Sequence, residues 1–191
     1  MKNLFGLILA LLWFPSFGQK TIETVYQWSE VQNAKQDTIY NLSLAKMKLT
    51  ELPAQLWKFK NLKKLYLNKN KLSTLPDSFD VFTQLEVLDI DHNQFEVFPI
   101  PVARLRNLKT LIASDNRLTD LPDILGNLKK LEVLDFYNNE ILNMGAGLFQ
   151  LENLKKLDLS GTMYGTIFQK NLIAKLPGVK IKLDPPCTCL D

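Results

Sequence analysis

Four aspartates, one histidine, one serine and two cysteines are the residues of this 191-residue chain with the most chemistry to offer. Asp89, Asp91, Asp135 and Asp158 could together hold a hard cation such as Ca²⁺, which takes oxygen ligands. His92, the single histidine, follows Asp91 directly. A Ser–His–Asp relay would need the Ser114 hydroxyl on the His92 imidazole, and the imidazole in turn on a carboxylate. Cys187 and Cys189 follow Pro185-Pro186, and thiols outside the cytosol tend to oxidise. A bridge between residues two apart is strained; an intermolecular bridge and free thiols are the alternatives. Two cysteines are too few for a structural zinc site, and no Gly-rich phosphate loop is present. Which of these groups meet depends on the elements that carry them.

Those elements repeat. Residues 62–72 run L-x-x-L-x-L-x-x-N-x-L, and the first apolar position recurs every 23 residues at Ile39, Leu62, Leu85, Leu108, Leu131 and Leu154. Strand side chains alternate, so Leu42/Leu44, Leu65/Leu67, Leu88/Ile90, Leu111/Ala113, Leu134/Phe136 and Leu157/Leu159 face one side. Asn follows the strand at Asn70, Asn93, Asn116 and Asn139, where a turn leaves backbone groups in need of partners. Met47 and Thr162 replace it in the end copies. A return segment carries Leu52-Pro53, Leu75-Pro76, Phe98-Pro99 and Leu121-Pro122, with Met144-Gly145 in the fifth copy. Beyond it, Leu56/Phe59, Phe79/Phe82, Val102/Leu105, Leu125/Leu128 and Leu148/Leu151 have the spacing of one face of a short helix or 3₁₀ turn.

The pattern resembles the leucine-rich repeat over residues 39–162, and its L-P pair is similar to the subclass found in bacterial and intracellular signalling repeat proteins. The resemblance implies an α/β solenoid, a horseshoe with a parallel concave sheet and short helical or 3₁₀ convex segments. It also implies a ladder of Asn amides on the turn backbone, a role in binding other molecules, and no enzyme activity. Both ends of such an array need caps. An N-terminal helical cap is expected over 19–38, with Ile22, Val25, Trp28 and Val31 covering the first repeat. An irregular last unit and C-terminal cap is expected over 163–184, where Phe168, Leu172 and Leu176 form a stripe ended by Pro177-Gly178 and Val179, Ile181 and Leu183 alternate as a last strand. Residues 185–191 form a tail with the Cys pair.

Outward strand positions then form three concave columns: Asn41, Lys64, Val87, Thr110, Val133 and Lys156; Ser43, Tyr66, Asp89, Ile112, Asp135 and Asp158; Ala45, Asn68, Asp91, Ser114, Tyr137 and Ser160. Aromatic and apolar groups beside charges suit a binding patch. The candidate partner-binding residues are Tyr66, Asn68, Asp89, Asp91, Ile112, Ser114, Asp135, Tyr137 and Asp158. The aspartates make this face acidic, while Lys58, Lys60 and Lys63, Arg104, Arg106 and Lys109, and Lys129 and Lys130 gather elsewhere, so a basic protein or peptide is the expected partner. Side chains on neighbouring strands point in parallel, so no metal, cofactor or catalytic residue is expected. His92 falls in a column with Lys46, Lys69, Asp115, Asn138 and Gly161 that reads as a solvated rim. The rival reading is a passive envelope or adhesion module binding glycan or cell-surface material.

Composition agrees: 46% apolar and 23% charged residues with a formal charge of +3 fit one globular domain and give no reason to expect nucleic-acid binding. The N-terminus has the layout of a signal peptide over 1–18, with Lys2, an apolar run from Leu4 to Phe14, and Ser16-Phe17-Gly18 before Gln19. As a helix that run would span about 16 Å against a bilayer core of about 30 Å. No Cys follows it, so a secreted, periplasmic or cell-surface protein without a lipid anchor is expected, with no span after cleavage. Intact-mass measurement of exported protein should find Gln19 at the N-terminus; material that still begins at Met1 contradicts the assignment.

Overall fold

The computed structural model describes residues 23–31, 34 and 38–187; the segment expected as a signal peptide, Ile22 and Cys189 lie outside them. Six strands follow the repeat: β2 (Asn41–Ser43), β3 (Lys64–Tyr66), β4 (Val87–Asp89), β5 (Thr110–Ile112), β7 (Val133–Asp135) and β9 (Lys156–Asp158). They pair in parallel and in register, so Leu42, Leu65, Leu88, Leu111, Leu134 and Leu157 form one buried row. Each return segment is a five-residue 3₁₀ turn: Ala54–Lys58, Asp77–Val81, Ile100–Arg104, Asp123–Asn127 and Ala146–Gln150. The i, i+3 pairs of these turns, Leu56/Phe59 through Leu148/Leu151, are buried against the leucine row, because a three-residue turn stacks residues three apart. Proline enters four of these turns with extended ψ; Gly145 does so in the fifth. There β6 (Asp120–Leu121) pairs with β8 (Asn143–Met144), and the Gly145 N–H donates to Leu121 O at 2.7 Å, a bond proline cannot make. A Cβ on Gly145 would lie 2.8 Å from that same oxygen.

The caps differ from expectation at one end. Within the expected helical cap over 19–38, β1 (Val25–Gln27) pairs with β2, and among the described residues Trp28–Val31 is helical (α1). An edge strand leaves a row of N–H and C=O groups open, and Val-Tyr is a good strand pair; pairing that edge outweighs local helix formation. Trp28 and Val31 still bury themselves, with Trp28 edge-on to Phe59 at 6.2 Å between centroids. At the other end, helix α2 (Thr166–Lys175) buries Leu172, and Leu176 is buried just beyond it. Gly178 at φ 83° turns the chain into β10 (Lys180–Lys182), which pairs with β9. The main sheet therefore has eight strands rather than six, or about 34 Å of width at 4.8 Å per strand. Cys187 is disulfide-bonded. Burial pushes the Tyr164 phenol up to about 12.

The turn after each strand closes by two devices. Lys46, Lys69, His92, Asp115, Asn138 and Gly161 all have positive φ, between 49° and 88°. The left-handed step costs an L-residue about 1–2 kcal/mol, and it aims the next Asn inward. The Asn116 amide then donates to Ile90 O and Ala113 O at 3.1 Å and Ser114 O at 3.0 Å, while its oxygen accepts from Phe95 N–H at 3.1 Å. Asn93 and Asn139 repeat the pattern on their own neighbours. Asn70 accepts from Leu49, as the other Asn oxygens accept from the coil before, and additionally from Met47, which stands where the first copy lacks an Asn. Thr162 ends the ladder with its hydroxyl on Asn139 O.

Asn116→Ala should therefore lower stability by about 2–4 kcal/mol, since several buried groups lose partners at about 1–3 kcal/mol each. Asn93→Ala should cost somewhat less, because Asn93 is only partly buried. Met47→Ala should cost under about 1 kcal/mol, since the side chain is exposed and the one ladder bond at this position is made by the backbone N–H, which alanine keeps. Urea midpoints test the order; an Asn116→Ala chain as stable as wild type overturns the ladder's role.

Candidate functional site

The concave columns form as the strand register requires: Tyr66 stands beside Asp89, Asp89 beside Ile112, Ile112 beside Asp135, and Asp135 beside Asp158. Tyr66, Asn68, Asp89, Asp91, Ile112, Asp135 and Asp158 are partly exposed, and Tyr137 is 41% exposed. Ser114 differs from its expected place, being only 7% exposed. Its hydroxyl donates to Asp91 Oδ1 at 2.7 Å, so it braces a carboxylate rather than offering itself outward. Strand β10 adds two residues that the expected site omits. Lys180 and Lys182 continue the first two columns beyond Lys156 and Asp158. The signal for them was present: with Val179, Ile181 and Leu183 inward, the lysines between must point outward.

Lys182 divides the acidic row into two kinds. Its ammonium donates to Asp158 Oδ2 at 3.0 Å and lies 5.4 Å from the centre of the Tyr137 ring. Burial raises the Asp158 carboxyl, but the Ser160 hydroxyl and N–H and the Lys182 charge outweigh it and hold the group below the usual range. At Asp89 and Asp135 the His92 and Lys182 charges act in the same lowering sense, but burial outweighs them. Burial pushes both carboxyls above the usual range, against a hydrogen bond from the N–H two residues on, and neighbouring aspartates push the same way. A hollow of about 220 Å³ opens beside Asp135, bordered by Val133, Asp158, Lys180 and Lys182.

At the rim, parallel pointing fails. The left-handed backbone at His92 and Asp115 turns their side chains toward Asp91, so that His92 Nδ1 lies 2.7 Å from Asp91 Oδ2 and 3.4 Å from Asp115 Oδ2. The rim is solvated as expected, with Lys46, Lys69, His92, Asn138 and Gly161 exposed, and it also carries a contact network here, because a left-handed step between columns breaks the strand alternation. Ser114 meets Asp91 and not His92, so the order is Ser–Asp–His, and no nucleophile lies on the imidazole. A relay of the Ser–His–Asp type is not assembled. On the 3₁₀ side a wider groove of about 660 Å³ runs between Leu75-Pro76 and Phe98-Pro99, edged by Val97 and Arg117. No sequence reading pointed to it, because it lies between two return segments rather than on one motif. Among the described residues, no helix is long and apolar enough to cross a membrane.

Comparison with solved structures confirms the architecture. A leucine-rich repeat protein of Leptospira interrogans superposes with a TM-score of 0.66 at 25% identity, over 86% of this chain and 49% of that one. An internalin of Listeria monocytogenes gives 0.64 at 22% identity, over 80% and 46%. Internalin C2 of the same species gives 0.62 at 25% identity, over 77% and 62%. This chain thus spans about half the length of the first two structures. Comparison with curated proteins gives no match. The family described as "Leucine-rich repeat region" matches residues 42–181, from the middle of β2 to the middle of β10. That match covers most of the sequence and coincides with the parallel sheet and its 3₁₀ turns, and the chain belongs to the leucine-rich repeat family.

Proposed function

We propose that this chain is a secreted, non-enzymatic binding module that recognises a basic protein or peptide through its concave face. The observation that carries the reading is the pair Asp89 and Asp135. Both are about half-buried carboxylates whose ionised form is disfavoured where they sit. Between them lies Ile112, and beside them Tyr66 and Tyr137, none of which the core requires. Apolar surface flanking under-compensated negative charge is complementary to a lysine or arginine with its aliphatic stem. A cation docked there would reverse the cost of ionisation, and binding would recover what folding alone does not. Leucine-rich repeats are a protein-interaction scaffold, and the signal-peptide layout of residues 1–18 supports secretion.

Two measurements follow. The folded state binds the Asp89 and Asp135 protons more tightly than the unfolded chain, so each carboxylate lowers stability as pH rises past the ordinary carboxylate range and through its raised folded value. Asp89→Asn and Asp135→Asn should therefore raise the thermal midpoint at pH 7, and the gain should shrink as pH falls below that window. A gain that is the same at every pH would point to packing instead of charge.

For binding, Asp89→Lys and Asp135→Lys should weaken the affinity for a partner isolated from the extracellular milieu by tenfold or more, with unchanged circular dichroism. Tyr137→Ala should cost more than Lys58→Ala or Lys129→Ala on the convex side, since interface energy concentrates in a few aromatic or charged anchors. Affinity lost from convex variants and retained by concave ones places the interface on the wrong face. Equal, shallow losses on both faces favour the passive adhesion module.

A further inference from the structure

We propose that Asp91, His92 and Asp115 form a binding site for a first-row divalent transition cation, with zinc as the probe. One ligand atom from each residue falls within 4.8 Å of the other two. Bonds from zinc to imidazole nitrogen and carboxylate oxygen are about 2.0–2.2 Å, which sets neighbouring ligand atoms roughly 3–4 Å apart. The observed 2.7 Å and 3.4 Å between His92 Nδ1 and the two Oδ2 atoms come within a few tenths of an ångström of that requirement. Hydrogen bonding inside the trio accounts poorly for the arrangement. Nδ1 carries one proton or one lone pair, yet two carboxylate oxygens face it.

The groups outside the trio fit the same reading. The far oxygen of each carboxylate is held by a different neighbour: Asp91 Oδ1 accepts from the Ser114 hydroxyl at 2.7 Å, and Asp115 Oδ1 from the Asn138 amide at 2.6 Å. Those bonds turn both Oδ2 atoms toward His92, as outer partners orient the ligating carboxylates of metal sites. The backbone is held too. His92 N–H donates to Ser114 O at 3.0 Å, Asp115 N–H to Tyr137 O at 2.9 Å, and Asp91 O accepts from Lys69 N–H at 2.9 Å, so the backbone of all three is bonded to a neighbouring coil. Imidazole nitrogen with two carboxylates suits zinc and its neighbours better than Ca²⁺, which takes six to eight oxygens. The His92 side chain is 50% exposed and those of Asp91 and Asp115 are 16% and 25% exposed. The remaining positions on the cation therefore open to solvent beside the concave face, where water or a partner's side chain completes the shell.

This site does not depend on the proposed partner, because zinc binding is read on the chain alone. Calorimetric titration of the untagged full chain with zinc chloride at pH 7.5 should show one ion bound per chain. His92→Asn keeps a residue that tolerates positive φ, and Asp115→Asn keeps the side-chain shape; each should weaken zinc at least tenfold with circular dichroism unchanged. Asp80→Asn, on the 3₁₀ side, should leave the titration as it was, and millimolar Ca²⁺ should not displace zinc. Zinc shifts of the His92 ring signals in the nuclear magnetic resonance spectrum give a second readout that does not depend on any variant folding. Absence of saturable zinc binding overturns the site. So does binding that His92→Asn leaves intact, or zinc that leaves the His92 ring signals unmoved.

Discussion

The whole array hangs on one repeated contact, an Asn amide that bonds the backbone of its own turn and of the turn before. Asn116 holds Ile90 O from one coil and Ala113 O from its own, and accepts Phe95 N–H in the space between. A coil of 23 residues cannot satisfy its turn internally, because the strand ladder stops where the chain bends. Each coil therefore completes the one before it, and no coil is stable alone. The end copies show the rule by exception. In the first, Asn70 takes the Met47 N–H in addition to that of Leu49, and the last substitutes the Thr162 hydroxyl, with β10 stacked beyond.

The same stacking governs the outer chemistry. In a register-matched parallel sheet, a residue type chosen at one position stands directly beside its equivalents in the next coils, about 4.8 Å away. Columns of like charge are then costly, and columns of alternating charge nearly self-sufficient. The second concave column interleaves Ile112 between Asp89 and Asp135 and closes with Lys182 on Asp158. The acids at its centre remain raised above the usual carboxylate range.

Much of this was legible in the sequence, and the reasons are specific. A 23-residue period with a two-residue alternation gives register, the buried leucine row, the Asn ladder and the membership of each concave column. The 3₁₀ turns follow from the apolar spacing of Leu56/Phe59 and its equivalents. Two features were not legible. The N-terminal stripe of Ile22, Val25, Trp28 and Val31 has helical spacing, but the open edge of β2 is a tertiary demand that no local pattern records. The meeting of Asp91, His92 and Asp115 depends on positive φ at His92 and Asp115, which no alternation pattern records. Alternation predicts which way a strand residue points; it is silent one residue after the strand ends.

A comparison of two neighbouring columns gives the strongest support for a concave binding face. Just ahead of the strands, Lys63, Glu86, Lys109, Glu132 and Lys155 alternate in sign from coil to coil. Lys109 meets Glu86 at 2.8 Å and Lys155 meets Glu132 at 2.7 Å, and those lysines hold the two Glu carboxyls below the usual range. This column has closed its own charge and would gain little from a partner. Three positions on, Asp89 and Asp135 sit in the opposite condition, raised by burial that the His92 and Lys182 charges do not offset. The scaffold offers the same stacking geometry to both columns, and the alternating solution is plainly within its reach. Stability alone would favour using it twice. Keeping carboxylates under-compensated on the one face that also exposes Tyr66, Ile112 and Tyr137 fits a surface whose missing charge is supplied by something else.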